Sequence, residues 1–98
     1  MSEKQERVSI GVASTPSLQP HTRLRHDAAR NRWVILAPER VFTPDPIAVA
    51  VLRLCDGMRT VDAIAGELEQ AYQADKNQIL TDIISMLQDL TDKGVLKA

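Results

Sequence analysis

Residues 32–46 read RWVILAPERVFTPDP, and the change of periodicity inside this stretch decides the fold. Trp33 and Ile35 would point to one face of an extended chain while Val34 and Leu36 point to the other. A strand apolar on both sides suits a central, covered position. Pro38 has no amide to donate and breaks the ladder, after which Glu39 to Thr43 can form a third short strand. Asp45 can then cap a helix, and Pro46 suits its first position.

Working outward, Thr22, Leu24 and His26 alternate with Arg23, Arg25 and Asp27, and Ala28 to Asn31 supply a polar turn into the strand that starts at Arg32. The meander leaves the third strand at an edge. On the other side, Ile47, Val49, Ala50, Val51, Leu52 and Leu54 form a largely buried helix expected to stop at Asp56-Gly57. Thr60 caps a second helix, in which Val61, Ile64, Ala65, Leu68 and Tyr72 recur at helical spacing. Asp75 followed by Gln78 is a capping-box pattern for a third helix that ends at Lys93-Gly94, with Val95 and Leu96 folding back. The order β-β-β-α-α-α gives an α+β, winged-helix-like domain: a three-stranded antiparallel meander followed by three helices. It is expected over residues 21–98, behind a flexible N-terminal tail, residues 1–20, whose few apolar groups cannot offset the entropy of ordering. The alternation of Val8, Ile10 and Val12 leaves open a strand that docks on something.

Ninety-eight residues with 44% hydrophobic but only 3% aromatic content allow one small domain, in which a deep catalytic cleft would compete with the core for the same side chains. The single cysteine, Cys55, cannot close an intramolecular disulfide and has no Cys or His at ligand spacing, so it reads as core filler. The N-terminus carries no signal-like apolar run, and no stretch of about 18 consecutive apolar residues occurs. A reducing, cytoplasmic setting is expected. Catalytic constellations are missing: His21 and His26 have no nucleophile or paired carboxylate around them, and the four glycines are isolated.

The third helix is the most informative element. At about 100° per residue its apolar positions spread over roughly 160°. Met86, Ile79, Leu90 and Ile83 lie at the centre, and Leu87, Leu80 and then Ile84 extend one flank. A small core needs less width than that, so Ile84 and Leu80 can either belong to the core or line a groove against the third strand. Asn77, Thr81 and Gln88 follow on the same flank, and Asp82 and Asp89 stand on the other. Carboxylates there would repel phosphates, which disfavours a winged-helix DNA-binding regulator. A small structural oligomerisation protein is the other alternative.

Twelve Lys and Arg against thirteen Asp and Glu give a net charge of −1, but the charges are segregated. From His21 to Cys55 six Arg face three acids, and from Asp56 onward four bases face eight acids. The sheet half is basic and the helical half acidic. Arginine's planar fork suits carboxylates on a partner or on the helices.

The Arg23-x-Arg25 strand, the Leu36-Ala37-Pro38-Glu39 corner, the Leu54-Cys55-Asp56-Gly57 stop before Arg59-Thr60-Val61, and Asp82-Ile83 leading to Leu87-x-x-Leu90 and Lys93-Gly94 together resemble the PqqD family of pyrroloquinoline quinone biosynthesis. The resemblance covers about residues 16–97. Thr43-Pro44-Asp45-Pro46 departs from it, since the family more often leads into the first helix with Leu-Asn. What the resemblance implies is a non-catalytic peptide-binding chaperone that uses no cofactor. Such domains bind the precursor peptide PqqA and present it to the radical S-adenosylmethionine enzyme PqqE, which cross-links a Glu and a Tyr of that peptide. The family takes the peptide as an added strand beside the third strand, packed on the last helix. Carried over, Arg40, Val41, Phe42 and Thr43 offer the edge, and Asn77, Leu80, Thr81, Ile84 and Gln88 form the helical wall. Arg23, Arg25 and Arg30 are candidates for contact with the partner enzyme. Whether the chain is a monomer or a hairpin-exchanged homodimer stays open, because an unpaired edge next to a proline turn permits exchange.

Overall fold

A computed structural model describes residues 8–98. Three strands, β2 (Arg23–Asp27), β3 (Arg32–Ala37) and β4 (Arg40–Phe42), form the antiparallel meander in the order β2-β3-β4. Three helices follow, α1 (Pro46–Leu52), α2 (Val61–Tyr72) and α3 (Lys76–Asp92). The α+β, three-strand, three-helix reading of the sequence therefore holds.

The register explains which side of the sheet is covered. Leu24 stands opposite Ile35, and Ile35 opposite Phe42, so one apolar row crosses all three strands on the face toward the helices. Ile35 at its centre is 1% exposed and joins Val51, Val61, Ile64, Leu87 and Leu96 in the core. Between β3 and β4, Pro38-Glu39 is a two-residue loop in which Glu39 takes φ 61°, a left-handed value. Proline sets the first loop residue and Glu39 accepts the unfavourable one.

Each helix start is fixed by the side chain read for it. Asp45 accepts from the Ala48 N–H at 2.8 Å, Thr60 from Ala63 at 3.0 Å, and Asp75 from Gln78 at 3.1 Å. The capping box at Asp75 is only half formed, because the Gln78 amide turns forward and donates to Asp82 at 3.1 Å. At the far end of α3, Gly94 takes φ 82° and the Val95 N–H returns to the Leu90 carbonyl at 2.9 Å.

Two expectations are corrected. Helix α1 ends at Leu52, before Asp56-Gly57, and Leu54 and Cys55 lie in the turn that follows. Asp56 there accepts from the N–H groups of Met58 and Arg59, building a separate turn ahead of α2. The segment expected as a flexible tail is packed on the domain from Ile10 to Leu18, while residues 1–7 lie outside the described part. Ile10 and Pro16 are buried. The carbonyls of Val12 and Ser14 accept from the N–H groups of Asp62 and Val61 at 3.0 and 2.9 Å, satisfying donors that the first turn of α2 leaves open. The Gly57 N–H donates to the Pro16 carbonyl at 3.0 Å, and Ser17–Leu18 (β1) pairs with Leu96–Lys97 (β5) as a second, two-stranded sheet. The segment is thus ordered by the backbone needs of the domain it meets, which its own composition does not display. Among the described residues, no helix is long and apolar enough to cross a membrane.

Candidate functional site

Among the described residues, strand β4 has β3 on one side and no strand on the other, so its outer edge is open. Because Pro38-Glu39 is a two-residue loop, Ala37 and Arg40 are the closing hydrogen-bonded pair of the hairpin. In an antiparallel ladder such pairs alternate, so Val41 directs its N–H and C=O away from β3. Val41 is 65% exposed, and its side chain stands beside Leu36 on the outer face.

The neighbouring residues of the strand face inward. Phe42 is half-buried and packs against the core, and the Arg40 guanidinium lies 5.0 Å from the centre of its ring. The aliphatic stem and cation of Arg40 therefore roof the part of Phe42 that the core leaves open. Thr43, just beyond the strand, is exposed.

On α3 the expected wall divides by depth. Asn77 and Thr81 are exposed, and the Thr81 hydroxyl donates back to the Asn77 carbonyl at 3.1 Å. Leu80 and Ile84 are half-buried and pack on the same core cluster as Phe42, which ties the strand edge and this helix flank to one foundation. The opposite flank faces α1 and α2 across a recess of about 220 Å³, which Ile79, Asp82 and Ile83 border together with Ile47, Leu68 and Tyr72. Exposed polar residues beside half-buried aliphatic ones, on the same core as an open strand edge, can hold an extended peptide by its backbone and by alternate side chains.

Gln88 does something the sequence pattern did not specify. Its side-chain amide accepts from the Ile10 N–H at 2.9 Å and donates to the Val8 carbonyl at 2.8 Å. The alternation of Val8, Ile10 and Val12 was the available signal for this contact, although no pattern in α3 marks Gln88 as the acceptor.

Arg23 and Arg25 sit apart from this region, on the exposed outer face of β2, where they stand opposite Leu36 and Val34. Arg30 is in the β2–β3 turn, 3.7 Å from the Asp27 carboxylate. Of the groups considered for chemistry, His26 lies beside Trp33 with ring centres 5.2 Å apart. Cys55 is buried, donates its S–H to the Val51 carbonyl at 3.3 Å, and has its thiol pushed up to about 12, by burial first and the Asp56 charge second. A thiol held protonated is inert as nucleophile or ligand. Among the described residues, no group of three or more His, Cys, Asp or Glu could hold a metal ion.

Comparison with known proteins identifies the family and its fold. The family model described as Coenzyme PQQ synthesis protein D (PqqD) matches residues 32–96. A protein of Rhodopseudomonas palustris strain BisB5 named PqqA binding protein is 55% identical over 89 residues, covering 91% of this chain and 87% of that one. Among solved structures, the solution structure of the PqqD truncation of Methylobacterium extorquens PqqCD is 46% identical with a TM-score of 0.83, covering 96% of this chain and all of that one. That protein is described as a functional, stand-alone recognition element for ribosomally synthesised and post-translationally modified peptides. The crystal structure of PqqD from Xanthomonas campestris is 40% identical with a TM-score of 0.59, covering 92% of this chain and all of that one.

Proposed function

The chain belongs to the PqqD family, and from that premise we propose that it is a non-catalytic, cytoplasmic carrier that binds the precursor peptide PqqA and presents it to the radical S-adenosylmethionine enzyme PqqE. The observation that carries this reading is that the open edge of β4 and the half-buried Leu80–Ile84 flank of α3 both rest on one core. PqqA adds as a strand to that edge. Backbone groups of Val41 supply hydrogen bonds, and alternate peptide side chains settle against Leu80 and Ile84. Arg40, Phe42 and Thr43 frame one side, and Asn77, Thr81 and Gln88 frame the other. The names and descriptions of the relatives support this reading.

A carrier needs a second surface for its enzyme. Arg23, Arg25 and Arg30 stand outside the groove on the basic sheet half, so they can meet an acidic surface of PqqE while the peptide is held. Calorimetric titration with PqqA tests the first step. One saturable site per chain is expected, and absence of binding at high micromolar peptide contradicts the proposal. Adding PqqE to the loaded chain should give a ternary complex on gel filtration, and separate elution of the enzyme contradicts the presentation step.

A further inference from the structure

The side-chain amide of Gln88 holds the chain's own N-terminal segment in the manner of a neighbouring strand. It donates through Nε2 to the Val8 carbonyl and accepts at Oε1 from the Ile10 N–H, so it engages two backbone groups on one side of an extended segment. A residue in a parallel ladder uses the same two partners, an N–H two positions after the carbonyl. The Gln88 amide is oriented by a further hydrogen bond to the Asp92 carboxylate at 2.9 Å. Ile10 is anchored at 7% exposure, whereas Val8 is 51% exposed and Ser9 is exposed too. The contact therefore reads backbone and leaves the outer side chains unread, which any other extended chain could satisfy equally.

Gln88 lies one helical turn beyond Ile84 on the same flank of α3. A peptide running along Leu80 and Ile84 reaches it next. We propose that Val8–Ile10 is a built-in strap that competes with the precursor for the Gln88 end of the groove and is released when the peptide binds. This inference rests on the peptide-binding reading above. Ile10, buried in the core, keeps the strap tethered and at high effective concentration, so it returns when the peptide leaves. The apparent affinity for peptide is then lowered by the fraction of chains in which the strap is open.

The experiment uses a chain whose free N-terminus is Ser9, its initiator methionine removed, which keeps Ile10 and leaves no carbonyl at position 8. Calorimetric titration with PqqA should show binding about 3- to 10-fold tighter than in the full chain, the range expected if the strap is open in a third to a tenth of free molecules. In the full chain without peptide, exchange of the Ile10 amide should be about 3- to 10-fold slower than that of an open chain, and it should rise to the open-chain rate at saturation. If the shortened chain loses its native amide spectrum, the full-length double variant Val8→Gly and Ser9→Gly, which raises the entropy cost of extending the strap, should shift affinity the same way. Equal or weaker binding by the released forms, or an Ile10 amide that stays protected at saturation, overturns the strap and leaves the peptide site standing. Absence of PqqA binding by every form overturns both.

Discussion

Replacing Val41 by proline separates backbone capture from side-chain contact. In the β3–β4 hairpin Arg40 pairs with Ala37 and Phe42 with Ile35, so the Val41 N–H points to the open edge and proline there removes no bond to β3. The side chain is 65% exposed on the outer face, so little packing is lost, and edge strands tolerate proline where the amide faces outward. The missing donor costs about 1 kcal/mol of binding, and a peptide carbonyl left facing the ring raises the loss to about 3 kcal/mol. Affinity for PqqA should fall roughly 5- to 150-fold. Val41→Ala keeps the donor and should bind within about threefold of the parent, since only an outward side chain is trimmed. Titration calorimetry reads the affinities, and the amide spectrum of each free variant reports the fold. Binding by Val41→Pro within twofold of the parent, with a native spectrum, would refute strand addition at β4.

Ile84→Asp places a carboxylate on the apolar side of the groove, where a bound peptide would strip it of water. Binding should weaken more than tenfold while circular dichroism stays native, and unchanged affinity would remove Ile84 from the site. Cys55, buried with its thiol raised to about 12, should react with a maleimide at pH 8 only after denaturant is added; stoichiometric labelling of the folded chain within minutes contradicts its burial. Asp56 is held below its ordinary value of 3.8, first by the N–H groups of Met58 and Arg59 and then by the Arg59 guanidinium. Its folded form favours the carboxylate, so the stabilisation is full above the unfolded value and disappears as pH falls through the lower folded one. The Tm gap between the parent and Asp56→Asn should accordingly narrow between about pH 5 and pH 2, and a constant gap would detach this turn from the acid response.

The elements most legible in the sequence were those fixed by local chemistry. Asp45, Thr60 and Asp75 announced the helix starts because a capping side chain needs only its own first turn. The two-faced apolar run from Trp33 to Leu36 marked the central strand because its partners on both edges are close in sequence. The end of α1 is hidden from the sequence, since Asp56-Gly57 looks like a helix stop while Asp56 closes a turn of its own with Met58 and Arg59. Residues 10–18 carry no local sign of their order. Their order comes from donors at Gly57, Val61 and Asp62 and from pairing with Leu96 and Lys97, all remote in sequence, which no local pattern can reveal. For the candidate site, the edge position of β4 and the width of the α3 apolar face were visible beforehand. The engagement of Gln88 was not, because glutamine on a helix flank carries no signature of what its amide will hold.

The most direct measurement is a titration of isotope-labelled chain with PqqA peptide, followed amide by amide. Strand addition in the groove predicts that the largest shifts fall on Val41, Phe42 and Thr43 and along α3 at Leu80, Thr81 and Ile84. Shifts concentrated in α1 and α2, or on the outer face at Arg23 and Arg25, would contradict it.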